Sequence, residues 1–392
     1  MTKITSTAAL ARLQSGRRKA KGSPTLQLAH TIKKSLFVFN SADSFIVSPA
    51  DDELPAILGV CDEGAFDKTD IPDNLKDWLN GLADEVRQFQ AEGMDLMPTD
   101  NWDERKSISP LVTAKWSQGT PYNKFLDFGE GACMVGCNAV SIGQIMHYWG
   151  TKGYHRGSKT TKAYKTGKRK YSIPSLVPMI VFDYPNLTAT KPKTTASINA
   201  VAILLKYVSF AIKSDFTPTS TGAWPKDCAS ALKDIFNMGD GVRLVESDQV
   251  GAEAFEQIVY DELSAKCPLY MTGYNTKGGH AFVCDGYDAS AGMFHFNWGW
   301  GGSYNGWFAL SALYPYIKDY NLHKQIIVGI KPANRLGDVN GDGSVDVSDV
   351  MNVVSIMNKG EYNAAADVNS DGKVDKADVN LIIDKILGKE TL

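Results

Sequence analysis

Nowhere in these 392 residues do apolar side chains run on for long. Leaving out Gly and Pro, the longest unbroken stretch is Ala200 to Leu205, far short of the ~20 residues a membrane-spanning helix needs. Neither sign of charge dominates: 41 Lys and Arg stand against 44 Asp and Glu, a net charge of −3, which argues against nucleic acid as the main partner. Cysteine is sparse. The six present (Cys61, Cys133, Cys137, Cys228, Cys267 and Cys284) are too few for a disulfide-built scaffold at this length, and their even number permits bridges without requiring them. The opening, Met1-Thr2-Lys3-Ile4-Thr5-Ser6, lacks an apolar stretch of signal-peptide length.

What is present is the balance of a soluble protein with real cores, 43% apolar and 22% charged. The length suits two or three domains. Charge is unevenly spread: from Leu336 to Leu392 eleven Asp and Glu meet five Lys, so the stretch carries −6 and everything before it +3. Three segments follow, 1–109, 110–335 and 336–392. In the first, Leu36–Phe39 and Ser44–Ser48 read as a hairpin turning at Asn40–Asp43. Pro72 opens a helix whose apolar positions recur through Leu75, Trp78, Leu79, Leu82, Val86 and Phe89. A polar connector, Pro98 to Pro110, ends it. The second segment holds six of the eight tryptophans and five of the six cysteines, and chemistry is expected there.

The third segment repeats itself at an offset of 29 residues. Asp338, Asn340, Asp342, Ser344, Asp346 and Asp349 align with Asp367, Asn369, Asp371, Lys373, Asp375 and Asp378, with Gly343 and Gly372 at the sixth position of each loop. Oxygen donors at positions 1, 3, 5, 9 and 12, a backbone carbonyl at 7 (Ser344, Lys373) and Gly for the sharp turn form an EF-hand-type calcium loop. An apolar helical run follows each loop, Val350–Met357 and Val379–Leu387. Two Asp-rich turns in such register are improbable without two structural calcium sites. The repeat resembles a type I dockerin, which also closes its loops with Asp. That resemblance implies a cohesin-type partner, met at Val347-Ser348 and Lys376-Ala377.

A cysteine nucleophile acts as its thiolate, which a helix N-terminus and a nearby imidazolium stabilise. Cys137 fits: Gly136 allows a tight turn, and Asn138 to Trp149 reads as a largely apolar helix. The same fragment also reads as a buried cysteine opening a core helix. Of the histidines, His147 is ten residues along that helix, ~15 Å away at 1.5 Å per residue. His30 sits in the first segment, and His155 and His323 have polar surroundings. His280 is better placed: Gly278-Gly279 clear its approach, Ala281–Cys284 reads as a strand, and Asp285–Asp288 with Ala289–Gly292 turns the chain into Met293–Trp298. In such a hairpin Asn297 falls roughly opposite His280 and can orient its ring. His295, on the face of Asn297, is a weaker rival. Trp298-Gly299-Trp300-Gly301-Gly302 offers indoles to shield an ion pair and glycines for a substrate backbone, or ordinary core packing. Gln118 can supply a side-chain amide for an oxyanion beside the Cys137 backbone N–H.

Together, Trp116-x-Gln118-Gly-x-Pro121-Tyr122-Asn123, Gly136-Cys137 with Ala139 and Gln144-Ile145-Met146, Gly279-His280-Ala281-Phe282 with Asp285-Gly286, and Asn297–Gly302 resemble the streptopain family of papain-like cysteine proteases. The resemblance implies an α+β chain: a papain-like catalytic domain, an α+β inhibitory propeptide in the first segment, and a small all-α calcium-binding dockerin. It implies Cys137 as nucleophile, His280 as acid/base, Gln118 as oxyanion donor, Asn297 and Trp298 as histidine support and shield, protein or peptide substrates, and an apolar residue two before the cut. Asn138, where the family generally has an apolar residue, and Cys133, able to bridge to Cys137 or to stay free, depart from the pattern. The rival expectation is a non-catalytic adhesion or assembly protein displayed by its dockerin. A latent protease with a calcium-dependent docking tail is expected outside the cell or on its surface, with the export signal missing from this form of the chain.

Overall fold

The computed structural model describes residues 3–16, 25–92, 105–152, 154, 157–179, 181–273, 280–312, 324–332, 337–339, 345–363, 366–369 and 371–389. In chain order the elements are α1 (Ser6–Gly16), β1 (Gln27–Ile32), β2 (Leu36–Ser41), β3 (Ser44–Pro49), β4 (Gly59–Cys61), α2 (Asp73–Glu92), α3 (Cys137–Thr151), β5 (Tyr164–Lys165), β6 (Ser172–Ile173), a 3-10 turn (Tyr184–Asn186), α4 (Thr195–Ala211), α5 (Pro225–Asp234), β7 (Arg243–Glu246), α6 (Ser247–Val250), α7 (Ala252–Ser264), β8 (Leu269–Gly273), β9 (His280–Asp288), β10 (Met293–Asn297), β11 (Gly306–Phe308), β12 (Lys324–Val328), α8 (Val347–Lys359) and α9 (Lys376–Ile386).

Ten strands make one antiparallel sheet in the order β1-β2-β3-β4-β11-β10-β9-β8-β12-β7. The expected hairpin is β2–β3, closed by Ser41↔Ser44. Strand β4 then lies on β11, pairing Val60 with Trp307, so the first segment extends the sheet of the second. Along β9 side chains alternate between two cores. Ala281 and Val283 join α3, α4 and α5 on one face; Phe282 and Cys284 join α2 and α7 on the other.

Helix α2 shows why the first segment stays put. Its apolar face (Leu75, Trp78, Leu79, Leu82, Val86, Phe89) is buried, and Trp78 stands edge-on to Phe282, Phe296 and Trp298 at centroid distances of 5.6, 4.8 and 6.3 Å. Polar contacts finish the seam: Glu85 Oε2 accepts from Ser311 Oγ (2.8 Å) and from the Ala312 N–H (2.6 Å), and the Lys324 ammonium sits 4.7 Å over the Trp78 ring. Helix α1, which the sequence reading did not mark, packs Ala9 and Leu13 on Phe37, Phe39 and Ile46 across the opposite side of β2 and β3.

The tail has its own small core of Val353, Ala366, Val368 and Ile382. Helices α8 and α9 each begin with a reciprocal capping box, Asp346 with Asp349 and Asp375 with Asp378. Each box satisfies two otherwise unpaired N–H groups at a helix start.

Candidate active site

Gly136 takes φ +91°, and a Cβ there would meet the Thr221 carbonyl oxygen at 2.8 Å; glycine is required for that close approach. The turn delivers Cys137 as the first residue of α3, 8% exposed. Helix α3 forms because Ala139, Val140, Ile142, Ile145, Met146 and Trp149 can all be buried around it. His280, the first residue of β9, pairs with Gly273 of β8, and Cys137 is the neighbour that acts most strongly on its imidazole. The next residue, Ala281, donates its N–H to Cys137 Sγ at 3.3 Å. The structure thus brings together the thiol and imidazole that lie 143 residues apart in the chain.

His280 also meets the first segment. Its Nε2 is 3.5 Å from Asp77 Oδ2 of α2. Interaction with Cys137 pushes the imidazole pKa upward, the charges of Asp77 and Asp73 add to that, and burial opposes it. Three residues before Asp77, Asn74 donates to the Trp298 carbonyl at 2.8 Å. Neither Asp77 nor Asn74 was marked from sequence. The available signal was two polar residues flanking Trp78 on the buried side of an amphipathic helix.

Asn297 does not fall opposite His280. Strand β9 runs on through Asp288, so the turn is confined to 289–292, and a bulge between His295 and Phe296 sets Asn297 against Val283. His280 lies three residues farther out, beyond the end of β10. The Asn297 amide donates to the Ala114 carbonyl at 2.8 Å and accepts the Gly299 N–H at 3.2 Å. Trp298 is fully buried between Trp78, Phe282, Phe296 and Phe308, on the α2 side of the sheet. Gln118, half-buried, accepts the Val135 N–H on its backbone carbonyl at 3.0 Å, which ties its turn to the segment entering Gly136.

The other histidines have structural partners. His147 Nε2 meets the Leu187 carbonyl at 3.3 Å and its ring packs edge-on to Trp116. His30 stacks on Phe66, and His295 Nδ1 lies 2.6 Å from the buried Asp285. His155, His323 and Gly278-Gly279 lie outside the described residues. All six cysteines are free and buried, Cys133 included.

In the tail, Asn340, Asp342 and Ser344 lie outside the described residues. The second loop is described at all six donor positions. Its Gly372 takes φ +83°, the turn required at position 6. Asp378 is fully buried and accepts N–H bonds from Val368, Asn369 and Asp375. Asp367, 4% exposed, accepts from Asp371, Gly372 and the Tyr362 hydroxyl. Among the described residues no three His, Cys, Asp or Glu groups are drawn about one point; the carboxylates are taken up by backbone N–H donors. Four carboxylates and an amide within twelve residues remain a hard-oxygen donor set that suits calcium. In the first loop Asp349 likewise holds the Val339 and Asp346 N–H groups.

A thiol–imidazole pair at a helix start, facing an antiparallel sheet that an amino-terminal domain extends and overlays, defines a papain-like cysteine peptidase in its zymogen form. Family models agree: residues 3–86 match the Spi protease inhibitor family, 116–308 the Peptidase C10 family, and 336–387 the dockerin type I domain. The chain carries a C10 (streptopain-family) peptidase domain, a Spi inhibitor-like propeptide domain and a type I dockerin, a calcium-binding class of domain.

Among relatives, streptopain of Streptococcus pyogenes is 26% identical over 327 residues, covering 76% of this chain and 81% of that one. The thiol protease/hemagglutinin PrtT of Porphyromonas gingivalis is 29% identical over 325 residues, 76% of this chain but only 37% of that protein. A prointerpain A fragment of Prevotella intermedia superposes with a TM-score of 0.66 at 27% identity, covering 79% of this chain and 100% of the fragment. No helix among the described residues is long and apolar enough to cross a membrane.

Proposed function

We propose that this chain is the precursor of a secreted cysteine endopeptidase: propeptide 1–109, peptidase 110–335, dockerin 336–392. The observation that carries this reading is the Cys137 thiol at the N-terminus of α3 set against the start of β9, where His280 is its neighbour and the Ala281 N–H meets its sulfur at 3.3 Å. His280 takes the thiol proton and Cys137 Sγ attacks the scissile carbonyl carbon. The oxyanion that forms is held by the Cys137 backbone N–H and the Gln118 amide. The C–N bond breaks as His280 returns the proton to the leaving amine, and water, deprotonated by His280, releases the acyl group from sulfur. Trp298 acts at one remove by packing on Phe282 of the His280 strand, and Asn297 by holding Ala114 and the Gly299 turn.

Latency is supported by Asp77 on His280 and Asn74 on the Trp298 carbonyl, both from the propeptide. The tail binds two structural calcium ions through Asp338, Asn340, Asp342, Ser344, Asp346 and Asp349, and through Asp367, Asn369, Asp371, Lys373, Asp375 and Asp378. So ordered, it presents Val347, 67% exposed, to a cohesin-type partner. Extracellular calcium modules bind at ~10⁻⁴–10⁻³ M, which fits secretion or surface attachment. Iodoacetamide is the test: alkylation of the processed protein at Cys137 abolishes peptide hydrolysis. A protein that never hydrolyses peptides, alkylated or not, is the adhesion or assembly module instead.

A further inference from the structure

Beneath the thiol lies a polar cluster that the reaction above does not use. Asn138, the second residue of α3, is 4% exposed. One backbone unit grips both ends of its amide: the Ala223 N–H donates to Oδ1 at 3.2 Å, and Nδ2 donates to the Ala223 carbonyl at 3.3 Å. Nδ2 also donates to the fully buried Tyr270 hydroxyl at 2.6 Å. Turning the amide over would set donor against donor and acceptor against acceptor at Ala223. Oδ1 is therefore fixed toward Cys137, whose Sγ donates to it at 3.6 Å.

We propose that Asn138 is a positioning residue for the nucleophile: its clamped amide oxygen holds the Cys137 thiol and favours the neutral form until His280 takes the proton. This deepens the peptidase reading and rests on Cys137 being the nucleophile. A hydrogen bond accepted from S–H exists only in the thiol; when the proton leaves, an oxygen lone pair faces a thiolate. The Ala281 N–H, the His280 imidazole and the α3 N-terminus act in the opposite sense. The other titratable groups facing Cys137 are Tyr270 of β8 and Cys228 of α5, both held neutral by burial. Beyond His280 stand Asp77 and Asp73 of α2.

The bland alternative is that Asn138 only satisfies the Tyr270 hydroxyl and the Ala223 backbone. Iodoacetamide alkylation of Cys137 in the processed protein, followed across pH by the mass of its peptide, separates the two. Asn138→Leu is expected to move the midpoint of the rate–pH curve down by about one unit, roughly tenfold more reaction on the acid limb. Asn138→Asp keeps the shape, adds negative charge beside the sulfur, and is expected to move the midpoint up. Tyr270→Phe leaves the Ala223 grip in place, so it should lower Tm without moving the midpoint. If Asn138→Leu does not fold, Asn138→Asp decides alone. An unmoved midpoint in the folded Asn138 variants, or an equal shift in Tyr270→Phe, overturns the proposal. Failure of the underlying reading looks different: wild-type protein alkylated at Cys137 would still hydrolyse peptides.

Discussion

Replacing Trp78 with alanine should loosen the propeptide from the peptidase more than any other single change in α2. The indole is 5% exposed, its three ring partners all belong to the peptidase, and the Lys324 ammonium rests on its face. Truncating a buried tryptophan costs about 3–5 kcal/mol, and the aromatic and cation contacts place this site in the upper half of that range. At ~1.4 kcal/mol per tenfold, the propeptide's hold weakens about a thousandfold. Urea denaturation in a Cys137→Ala background, where self-cleavage is blocked, measures the loss. With Cys137 intact, Trp78→Ala precursor should hydrolyse a peptide substrate with a shortened lag. A stability change below about 1 kcal/mol together with an unaltered lag would refute the view that α2 is the main grip.

Cys137→Ala protein should accumulate as the full 42.8 kDa chain, while wild type loses about its first hundred residues by a cut between Gly93 and Pro110; identical processing of both in a protease-free preparation rules out self-cleavage. Asp77→Asn should shorten the activation lag only a few-fold, because that ion pair is about a third exposed and screened by solvent; a longer lag would contradict an inhibitory role. Arg105→Ala should destabilise by about 3 kcal/mol, since it strips the 2.6 Å partner from buried Glu256. Burial already raises Glu256 to about 7 against the pull of Arg105, so its contribution is full below the ordinary carboxylate range and lost as pH rises through 7. Without Arg105 the penalty therefore grows with pH, and a Tm drop larger at pH 5 than at pH 8 would contradict that sign. EDTA should abolish the tail's helical signal and leave hydrolysis by the processed enzyme nearly unchanged; loss of hydrolysis on chelation in a chain ending at Arg335 would show that the body also needs metal.

The two ends of the chain depend on the peptidase to different degrees. Strand β4 is a rung of the peptidase's own sheet, and the α2 core is shared with β9, β10 and β11. The propeptide is thus folded onto the enzyme by long-range pairing rather than tethered to it. The tail instead closes, among the described residues, on Val353, Ala366, Val368 and Ile382 with partly buried apolar neighbours, too small a core to fold well unaided. Buried carboxylates such as Asp349 and Asp378 hold charge out of water, which a divalent cation would offset. Metal removal should therefore act locally, whereas loosening α2 reaches the active site.

Elements with strong local periodicity were legible in the sequence: α2 from its recurring apolar face, α3 from a run that can be buried on every side, β2–β3 from a short polar turn between apolar runs. The thiol–imidazole pair was legible as well, because Gly136 before Cys137 and a strand after His280 each constrain position. What escaped was set by register and by contacts across segments. Three-residue strands such as β4 and β11 carry no alternation to read, so the joint sheet left no local trace. The bulge at His295/Phe296 is invisible in residue types, yet it sets Asn297 against Val283 and leaves the imidazole to a propeptide carboxylate. Asn74 and Asp77 flank Trp78 on the buried side of α2, but nothing local names the carbonyl and the imidazole that a second domain brings to them. Asn138 is different in kind: a lone amide in an apolar helix start is a local anomaly, and burying it demands partners. Those partners, Ala223 and Tyr270, come from elements 85 and 132 residues away, so the sequence could mark the site while only the fold could show that its oxygen is aimed at the sulfur.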